Sequence, residues 1–307
     1  MARHTFLFFV DGCGWGETDA AVNPQHDYPG ELFRLPRRPP AGTAPVPIAR
    51  GGWARPLDAV LGVPGVPQSA TGQTTLLSGV SGQGALGKHL TGFPNETLRA
   101  ILLEHSVLKG FTDAGLRARF LNAYRPRFRE LSREKQLTLS ATTVANLAAD
   151  LPFFDLDDVT AGRSIYQEMT NAELIARGFA VAPLTPVAAG RIAAASVREH
   201  DFLLYEYFQS DKAGHSGERE RVVAELTRLD AFLGAVLDEL AGDLARDTLV
   251  LLCSDHGNLE DASTRRHTTN PVPLLAWGAG AAEFVAPLAR LDEVTPAILA
   301  RHGVRRG

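Results

Sequence analysis

Three short, almost uninterrupted apolar segments constrain the fold of this chain more than any other feature. They are residues 5–10, 201–208 and 248–253. Uninterrupted apolar runs of this length are typical of strands buried on both faces, whereas a strand with one solvated face alternates polar and apolar residues. Each run ends in a polar turn that contains glycine. We therefore predict that these segments are buried strands of a central sheet.

A helical pattern separates the last two of these strands. Apolar residues recur at helical spacing through residues 218–240, with charged residues opposite, and Gly242 is a plausible stop. A strand–helix–strand unit makes its two strands parallel, so their carboxyl ends open at the same edge of the sheet. Asp211 and Asp255 follow these ends. The pattern predicts a three-layer α/β sandwich with a mostly parallel central sheet, helices on both faces, and a ligand site at this edge.

The remaining segments suggest a core interrupted by one insertion. Ten of the 19 prolines fall between Pro24 and Pro67, which predicts a long extended loop there. Helices are predicted over 95–114, from Ser140 to 148, and over 166–178, with a strand over 116–123. Residues 124–188 are mixed in pattern. We predict an α/β core formed by 1–123 and 189–307, and a small cap or active-site insertion formed by 124–188.

Composition excludes several classes of protein. A chain of 307 residues with 45% hydrophobic and 21% charged residues is typical of an ordinary globular enzyme rather than a disordered or fibrous chain. Its net charge of −4 provides no overall basic field, so neither nucleic acid nor an anionic membrane is an expected partner. The apolar runs are too short to span a bilayer. Only Cys13 and Cys253 are present, which favours a reducing compartment and predicts a cytoplasmic protein.

Two glycine-rich segments match phosphate-binding patterns only superficially. Residues 82–89 (GQGALGKH) satisfy most of a P-loop, but His89 replaces the hydroxyl residue that would hold magnesium, and no clear strand precedes the segment. Gly12, Gly14 and Gly16 follow the first strand, but Glu17 breaks the dinucleotide fingerprint. Flexible turns explain both segments.

A set of carboxylates and imidazoles gives a stronger signal. Each lies just past a strand or in a glycine-rich turn, and they are Asp11, Asp211, His215, Asp255, His256 and His267. Singly, each has an ordinary explanation as a helix cap or a surface ion pair. Together, oxygen and imidazole ligands in two groups suit a pair of divalent cations, which clamp the attacking and leaving oxygens of a phosphoryl group. Such ligands suit manganese or zinc, and carboxylate-rich sites also take magnesium.

Ser69 is a candidate nucleophile. It lies in a run of small and hydroxyl residues, 68–75, that leads into apolar residues as a turn entering a helix would. A serine hydroxyl is a weak nucleophile at neutral pH and needs a base or a metal. The alternative is that Ser69 or Thr71 simply caps the helix.

These residues resemble the alkaline phosphatase superfamily, in the branch of cofactor-independent phosphoglycerate mutase and phosphopentomutase. Residues 9–14 (FVDGCG) resemble the first metal-binding strand end, and 68–73 (QSATGQ) are similar to the turn that carries the phosphorylated residue. The segments 211–217 (DKAGHSG), 254–258 (SDHGN) and 267–273 (HTTNPVP) follow in the family's order. The resemblance covers roughly 1–90 and 200–280.

The resemblance implies a ligand set and a mechanism. Asp211, His215 and His267 would hold one metal ion, and Asp11, Asp255 and His256 would hold the other together with Ser69. Ser69 would attack phosphorus and form a phosphoseryl intermediate, which a second acceptor resolves. Water as the acceptor makes a phosphatase, and a substrate hydroxyl makes a mutase.

Departures from the branch favour hydrolysis over isomerisation. Gln73 stands where the mutases usually have histidine, and the insertion after the nucleophile is far shorter than in phosphoglycerate mutases. Lys88, His89 and Arg163 are candidate substrate contacts, while the run of Arg125, Arg127, Arg129 and Arg133 is also read as a solvated face.

The sequence thus predicts a two-metal phosphoesterase, a phosphatase or phosphodiesterase, that acts on a small phosphorylated substrate. A phosphomutase and a non-catalytic metal-binding protein are the alternatives.

Overall fold

Successive residues of the central strands face opposite sides of one sheet, and each side buries its own apolar core. The computed structural model describes residues 3–40 and 43–305. Its strands are β1 (His4–Val10), β2 (Val46–Ile48), β3 (Gly52–Leu57), β4 (Ala118–Phe120), β5 (Asn122–Ala123), β6 (Ile165–Tyr166), β7 (Phe202–Tyr207), β8 (Thr248–Cys253) and β9 (Val272–Gly278).

Seven of these strands form the main sheet, in the order β2-β3-β9-β8-β1-β7-β4. β8, β1, β7 and β4 are neighbours and run parallel, while β9, β3 and β2 are joined by antiparallel pairing. β5 and β6 form a separate parallel pair. The parallel part places β1 between β7 and β8, so the carboxyl ends of the three predicted strands meet at one edge.

Helices cover both faces of the sheet. They are α1 (Ser69–Ser78), α2 (Gly82–Leu86), α3 (Glu96–His105), α4 (Val107–Asp113), α5 (Arg133–Gln136), α6 (Ala141–Ala148), α7 (Leu156–Thr160), α8 (Ala172–Ala176), α9 (Pro186–Glu199), α10 (Gln209–Ser216), α11 (Arg219–Glu239), α12 (Ala241–Leu244), α13 (Ala281–Val285) and α14 (Val294–Arg301). α9 and α11 pack on the face that carries Phe6 and Phe8, and α1, α3, α4, α6 and α14 pack on the face that carries Leu7 and Phe9. The predicted three-layer α/β sandwich is confirmed.

Several predicted elements differ in extent from those observed. The helix predicted over 95–114 is two helices, because Ser106 ends α3 and its side chain caps α4 by accepting from the Lys109 amide. Gly242 does not stop the long helix: α11 ends at Glu239, and Gly242 lies inside α12. Within 166–178 only Ala172–Ala176 is helical.

The proline-rich segment is not entirely a loop, which corrects the sequence prediction. It contributes β2 and β3 to the main sheet, and β3 pairs with β9. Proline lacks an amide hydrogen, so it is tolerated in strands mainly at sheet edges, and β2 is the edge strand that contains Pro47. Proline composition alone therefore underestimated the extended structure that a sheet edge accepts.

The segment 124–188 contains short elements only, with the exception of α6. Ser140 caps α6 as predicted, by accepting from the Thr143 amide. α6 packs into the same apolar core as α3 and α4, with Val144 and Ala145 fully buried. The division of the chain into a core and a cap stays a prediction.

No helix among the described residues is both long enough and apolar enough to cross a membrane.

Close packing of α9 against α11 depends on Gly190. A Cβ atom at this position would lie 2.5 Å from the Phe232 carbonyl oxygen and 2.8 Å from Ala235 Cβ. We expect Gly190→Ala to lower the free energy of unfolding by about 1–3 kcal/mol, as overpacking does. Gly234→Ala is the matched control, because its Cβ would meet only Leu32 Cδ1, at 4.0 Å, and helix propensity favours alanine. Urea denaturation of both variants measures the difference, and equal effects would contradict this account of the interface.

Candidate metal centre

The turns after β1, β7 and β8 bring the predicted carboxylates together. Asp11 follows β1, Asp211 lies in the first turn of α10 after β7, and Asp255 follows β8. The turns approach so closely that a Cβ atom on Gly12, which has φ +69°, would lie 2.6 Å from Asp211 Oδ1. Glycine is the residue that adopts this conformation without steric cost and leaves this space free.

The first group of candidate ligands consists of Asp211, His215 and His267. Asp211 and His215 are one turn apart on α10, with Oδ2 and Nε2 3.3 Å apart, and His267 Nε2 is 3.4 Å from Asp211 Oδ1. The Nε2 atoms of the two histidines are 3.0 Å apart. The sequence predicted this group of three residues, and the structure brings all three together.

The second group is centred on His256. Its Nε2 lies 3.3 Å from Asp11 Oδ1, 3.4 Å from Asp255 Oδ2 and 3.1 Å from Ser69 Oγ. Asp11 and His256 also form a set of mutually close ligand atoms with Asp211, which therefore borders both groups. Ser69 is the first residue of α1, as the sequence suggested. The His256 and His267 rings stack at 3.7 Å, so the two groups adjoin.

All three imidazoles are oriented by backbone carbonyls. Nδ1 faces the carbonyl oxygen of Arg265 at 2.7 Å in His215, of Gly257 at 3.3 Å in His256, and of Pro67 at 3.0 Å in His267. A carbonyl oxygen only accepts hydrogen bonds, so Nδ1 carries the proton in each of these rings. In a neutral ring Nε2 then has a free lone pair, which points to the region of the carboxylates. This is the arrangement found around metal-binding histidines.

Burial makes two carboxylates of this cluster, Asp11 and Asp255, hard to ionise without a cation. Burial, with a contribution from the charge of Asp255, raises the pKa of Asp11 to about 7, and burial raises the pKa of Asp255 to about 6. Burial also opposes ionisation of Asp211, but its hydrogen bonds and the charge of His256 outweigh it and lower the pKa of Asp211 to about 2. Burial opposes protonation of His256, but the Asp255 and Asp11 carboxylates outweigh it and raise the pKa of His256 to about 10. The shift of His256 shows a concentration of negative charge that attracts positive charge.

The residues fit divalent cations on two further observations. Asp11 Oδ1 and Asp255 Oδ2 are buried carboxylate oxygens that accept no hydrogen bond from the described residues. Buried acceptors of this kind are rare unless something else satisfies them. Two imidazole lone pairs at 3.0 Å also repel unless a proton or a cation lies between them. Oxygen and imidazole donors together suit manganese, zinc or magnesium.

Two buried glutamates near the centre were not foreseen from the sequence. Glu206 Oε2 accepts from the Thr142 hydroxyl, and burial, offset in part by this hydrogen bond, raises the pKa of Glu206 to about 7. Its signal in the sequence was a single charge within the apolar strand 202–207. Glu260 accepts from the amides of Gly14 and Asn258 at 2.9 and 2.7 Å. It has no comparable local signal, because it lies in a turn rather than in an apolar strand.

A cavity of about 580 Å³ opens beside the centre. Its floor includes Asp11, Ser69 and Asp211, and its walls come largely from residues 120–143.

The predicted substrate contacts do not line this cavity. Lys88 is exposed, His89 Nε2 lies 3.0 Å from the Val63 carbonyl oxygen, and Arg163 pairs with Asp158 at 2.7 Å. Arg125, Arg127 and Lys212 line it instead.

Metal content tests the ligand assignment. We expect the protein to bind about two equivalents of manganese or zinc, and His215→Ala or His267→Ala to retain about one. Asp211→Asn should retain the least, because Asp211 borders both groups. The exposed His105, which is near Glu104, supplies the control His105→Ala, expected to bind as the parent does. Elemental analysis after gel filtration decides, and full occupancy in all three ligand variants would contradict the assignment.

The pKa shifts also predict how stability depends on pH. An aspartate in the unfolded chain loses its proton near pH 3.8, its ordinary pKa, whereas Asp11 and Asp255 in the folded chain keep their protons to a higher pH. Their contribution to stability without metal is therefore present below that pH and lost as pH rises through about 6 to 7. Protons compete with metal for these ligands, so manganese should raise the Tm more at pH 8 than at pH 5.5. Thermal unfolding with and without manganese measures this, and Asp211→Asn should show little shift at either pH.

Comparisons with known proteins agree with this geometry. A profile described as "Metalloenzyme superfamily" matches residues 185–306, the part of the chain that holds five of the six predicted ligands. The chain is similar to the 2,3-bisphosphoglycerate-independent phosphoglycerate mutase of Desulforudis audaxviator, with 34% identity over 111 residues, which is 34% of this chain and 21% of that protein. The chain thus spans about a fifth of the length of this relative.

Solved structures extend the likeness to the whole chain at the level of fold. The alkaline phosphatase of the Antarctic bacterium TAB5 superposes with a TM-score of 0.55 and 15% identity, covering 99% of each chain. The PH0037 protein of Pyrococcus horikoshii gives a TM-score of 0.58 at 15% identity, covering 100% of this chain and 98% of the other. Residues 185–306, which carry most of the candidate ligands, are therefore similar to the metalloenzyme superfamily, and the chain as a whole has an alkaline phosphatase-like fold.

Proposed function

We propose that this protein is a two-metal phosphoesterase that works through a phosphoseryl intermediate on Ser69. One observation carries the proposal: Ser69 Oγ lies 3.1 Å from His256 Nε2, at the border between the cluster of ligands and the cavity. A hydroxyl that only capped a helix would have no reason to adjoin a buried imidazole and carboxylates. The substrate is a small phosphate ester that enters the cavity.

The fold holds Ser69 in a fixed position. Ser69 begins α1, and α1 packs so tightly on the β8 turn that a Cβ atom on Gly72 would lie 2.6 Å from the Asp255 carbonyl oxygen. The amino end of a helix carries a partial positive charge, which favours a phosphoryl group there. The nucleophile therefore points from a rigid element into a region prepared for an anion.

Asp211, His215 and His267 would hold one cation, and Asp11, Asp255 and His256 would hold the other, with Ser69 beside the second. Bound cations of this kind favour the alkoxide form of a serine and neutralise charge that develops on the phosphoryl oxygens. The chain's own residues perform the positioning. Asp11 Oδ2 accepts from Gln73 Nε2 at 3.0 Å, which fixes the orientation of that carboxylate.

The reaction proceeds in two displacements. Ser69 Oγ forms a bond to phosphorus while the bond from phosphorus to the alcohol oxygen breaks, and the alcohol leaves with a proton. Water then attacks the phosphoserine, the Oγ–phosphorus bond breaks, and phosphate leaves. Arg125 and Arg127 line the cavity and are the guanidinium groups available to bind phosphoryl oxygens.

A phosphomutase is the second candidate, favoured by the name of the curated relatives. The profile match, however, begins at residue 185, after Ser69 and after most of the residues that line the cavity. It includes most of the candidate metal ligands, which both reactions use. Gln73, bound to Asp11, stands where the resemblance to the mutases implies a histidine. Hydrolysis is therefore the proposed reaction.

Phosphate release tests the proposal. Metal-stripped protein reloaded separately with manganese, zinc and magnesium should release phosphate from at least one monoester, or an alcohol from at least one diester, of a broad panel. Ser69→Ala should lower the rate by at least about a thousandfold, because no nucleophile remains to form the intermediate. Acid-quenched protein should carry one phosphoryl group in the parent and none in Ser69→Ala, measured by mass spectrometry.

The matched control is Ser81→Ala, since Ser81 caps the short helix α2 and does not line the cavity. It should retain the parent rate. Isomerisation of a sugar or glycerate phosphate without phosphate release would instead establish the mutase. Metal-dependent stabilisation without any turnover would establish a binding protein.

A further inference from the structure

The cavity beside Ser69 has walls that are unusually aromatic for a phosphate site. Phe120, Tyr124, Phe128 and Phe208 line it, together with Phe93. Three of these rings pack in sequence, with centroids 6.4 Å apart for Phe120 and Tyr124 and 4.2 Å apart for Tyr124 and Phe128. Phe153 supports the last two from behind, at 4.8 and 4.6 Å. The aromatic wall is therefore preformed and does not depend on a ligand to assemble it.

Phe93 completes this wall from outside the predicted cap. Its side chain is 61% exposed, the largest value among the exposed large hydrophobic residues of the described chain. A single exposed apolar side chain is ordinary on a protein surface. Phe93, however, lines the same cavity as Ser69 and the other aromatic residues of the wall. A ligand with an apolar face that enters the cavity would contact these rings.

Charged side chains also line the cavity, among the rings of its aromatic wall. In the described residues, Arg129 pairs with Asp155 and Arg133 lies 3.9 Å from Asp150, whereas Arg125 and Arg127 have no carboxylate partner. These two arginines line the cavity. Arginines without a partner beside a phosphoryl site are complementary to an anion. The cavity thus has guanidinium groups that can bind a phosphate and aromatic rings that can contact the alcohol portion of the ester.

We propose that the cavity selects phosphate esters whose alcohol is an aromatic or similarly flat apolar group, with Phe93 as a specificity-determining residue. This inference rests on the proposed phosphoesterase activity for its catalytic part. A small polyhydroxylated alcohol, such as glycerol or a sugar, would lose water from its hydroxyl groups against rings that cannot replace those hydrogen bonds. An aromatic alcohol portion loses few hydrogen bonds to water on entering the cavity, and it gains contacts with the rings.

Binding of a substrate analogue tests the inference without turnover. Phenylphosphonate and methylphosphonate share the phosphonate group and differ in the apolar part. Calorimetry on the metal-loaded protein should show phenylphosphonate binding at least about tenfold more tightly. Phe93→Ala should weaken phenylphosphonate by about five- to tenfold and methylphosphonate by less than about twofold. Phe93→Tyr should restore the preference.

The matched control is Ile175→Ala, because Ile175 is an exposed apolar residue within the predicted cap that does not line the cavity. It should bind both phosphonates as the parent does. Equal affinity for the two phosphonates, no binding of phenylphosphonate, or an equal loss for both in Phe93→Ala would overturn the inference.

Turnover separates this inference from the proposed function. The parent should show a higher kcat/KM for 1-naphthyl phosphate than for glycerol 2-phosphate, and Phe93→Ala should reduce that ratio mainly through KM. Phe93-dependent binding of phenylphosphonate without hydrolysis of any ester would contradict the phosphoesterase and support the cavity inference. Hydrolysis that depends on Ser69 but is faster for the glycerol ester would support the phosphoesterase and contradict the inference about the cavity.

Discussion

Repulsion among carboxylates at one edge of the sheet is the constraint on which the rest of this structure depends. The parallel arrangement of β7, β1 and β8 forces Asp211, Asp11 and Asp255 into one small region. Burial removes the water that would solvate the Asp11 carboxylate, and the charge of Asp255 adds to this effect, so the pKa of Asp11 rises to about 7. Such a cluster is unfavourable unless positive charge compensates it. We therefore expect folding and cation binding to be coupled, because the geometry that the core imposes creates the charge that a cation would neutralise.

The buried carboxylate of Glu260 holds together the turns around this centre, although it is not one of the candidate ligands. Glu260 accepts from the amides of Gly14 and Asn258 and from the Asn270 side chain. These donors come from the turn after β1, the turn after β8 and the loop before β9. One side chain thus fixes three loops, and a Cβ atom on Gly14 would lie 2.2 Å from its Oε1 atom. Of the glycines that resembled a nucleotide-binding turn, Gly14 and Gly16 are explained by the space that Glu260 occupies, and Gly12 by the close approach of Asp211.

Local sequence was sufficient for the elements that lie at the centre of the fold. The strands over 5–10 and 248–253 and the acids after them could be predicted because an uninterrupted apolar run followed by an acid is informative without knowledge of its neighbours. β2 and β3 could not, since β3 is extended because it pairs with β9, and β2 because it pairs with β3. The predicted location in the cytoplasm and the lack of a nucleic-acid partner stay predictions.

The roles of individual arginines and lysines could not be predicted from the sequence either, because they depend on partners that only the fold brings close. Arg125 and Arg129 are indistinguishable in the sequence, yet Arg129 is paired with Asp155 and Arg125 faces the cavity. Lys88, His89 and Arg163 were candidates because of their residue type and their proximity to motifs, but proximity along the chain does not measure distance in space.

The proposed catalytic centre and the proposed specificity depend on different structural elements. The candidate metal ligands and Ser69 lie at the ends of sheet strands or on elements packed against them, so the core determines their positions. Four of the five rings of the aromatic wall lie outside the sheet strands, where a change of side chain alters the cavity without disturbing the sheet. A likeness of 15% identity to an alkaline phosphatase therefore establishes the fold and leaves the alcohol portion of the substrate open. The rings of Phe93 and Tyr124 favour an aromatic alcohol portion, and these side chains are not determined by the shared fold.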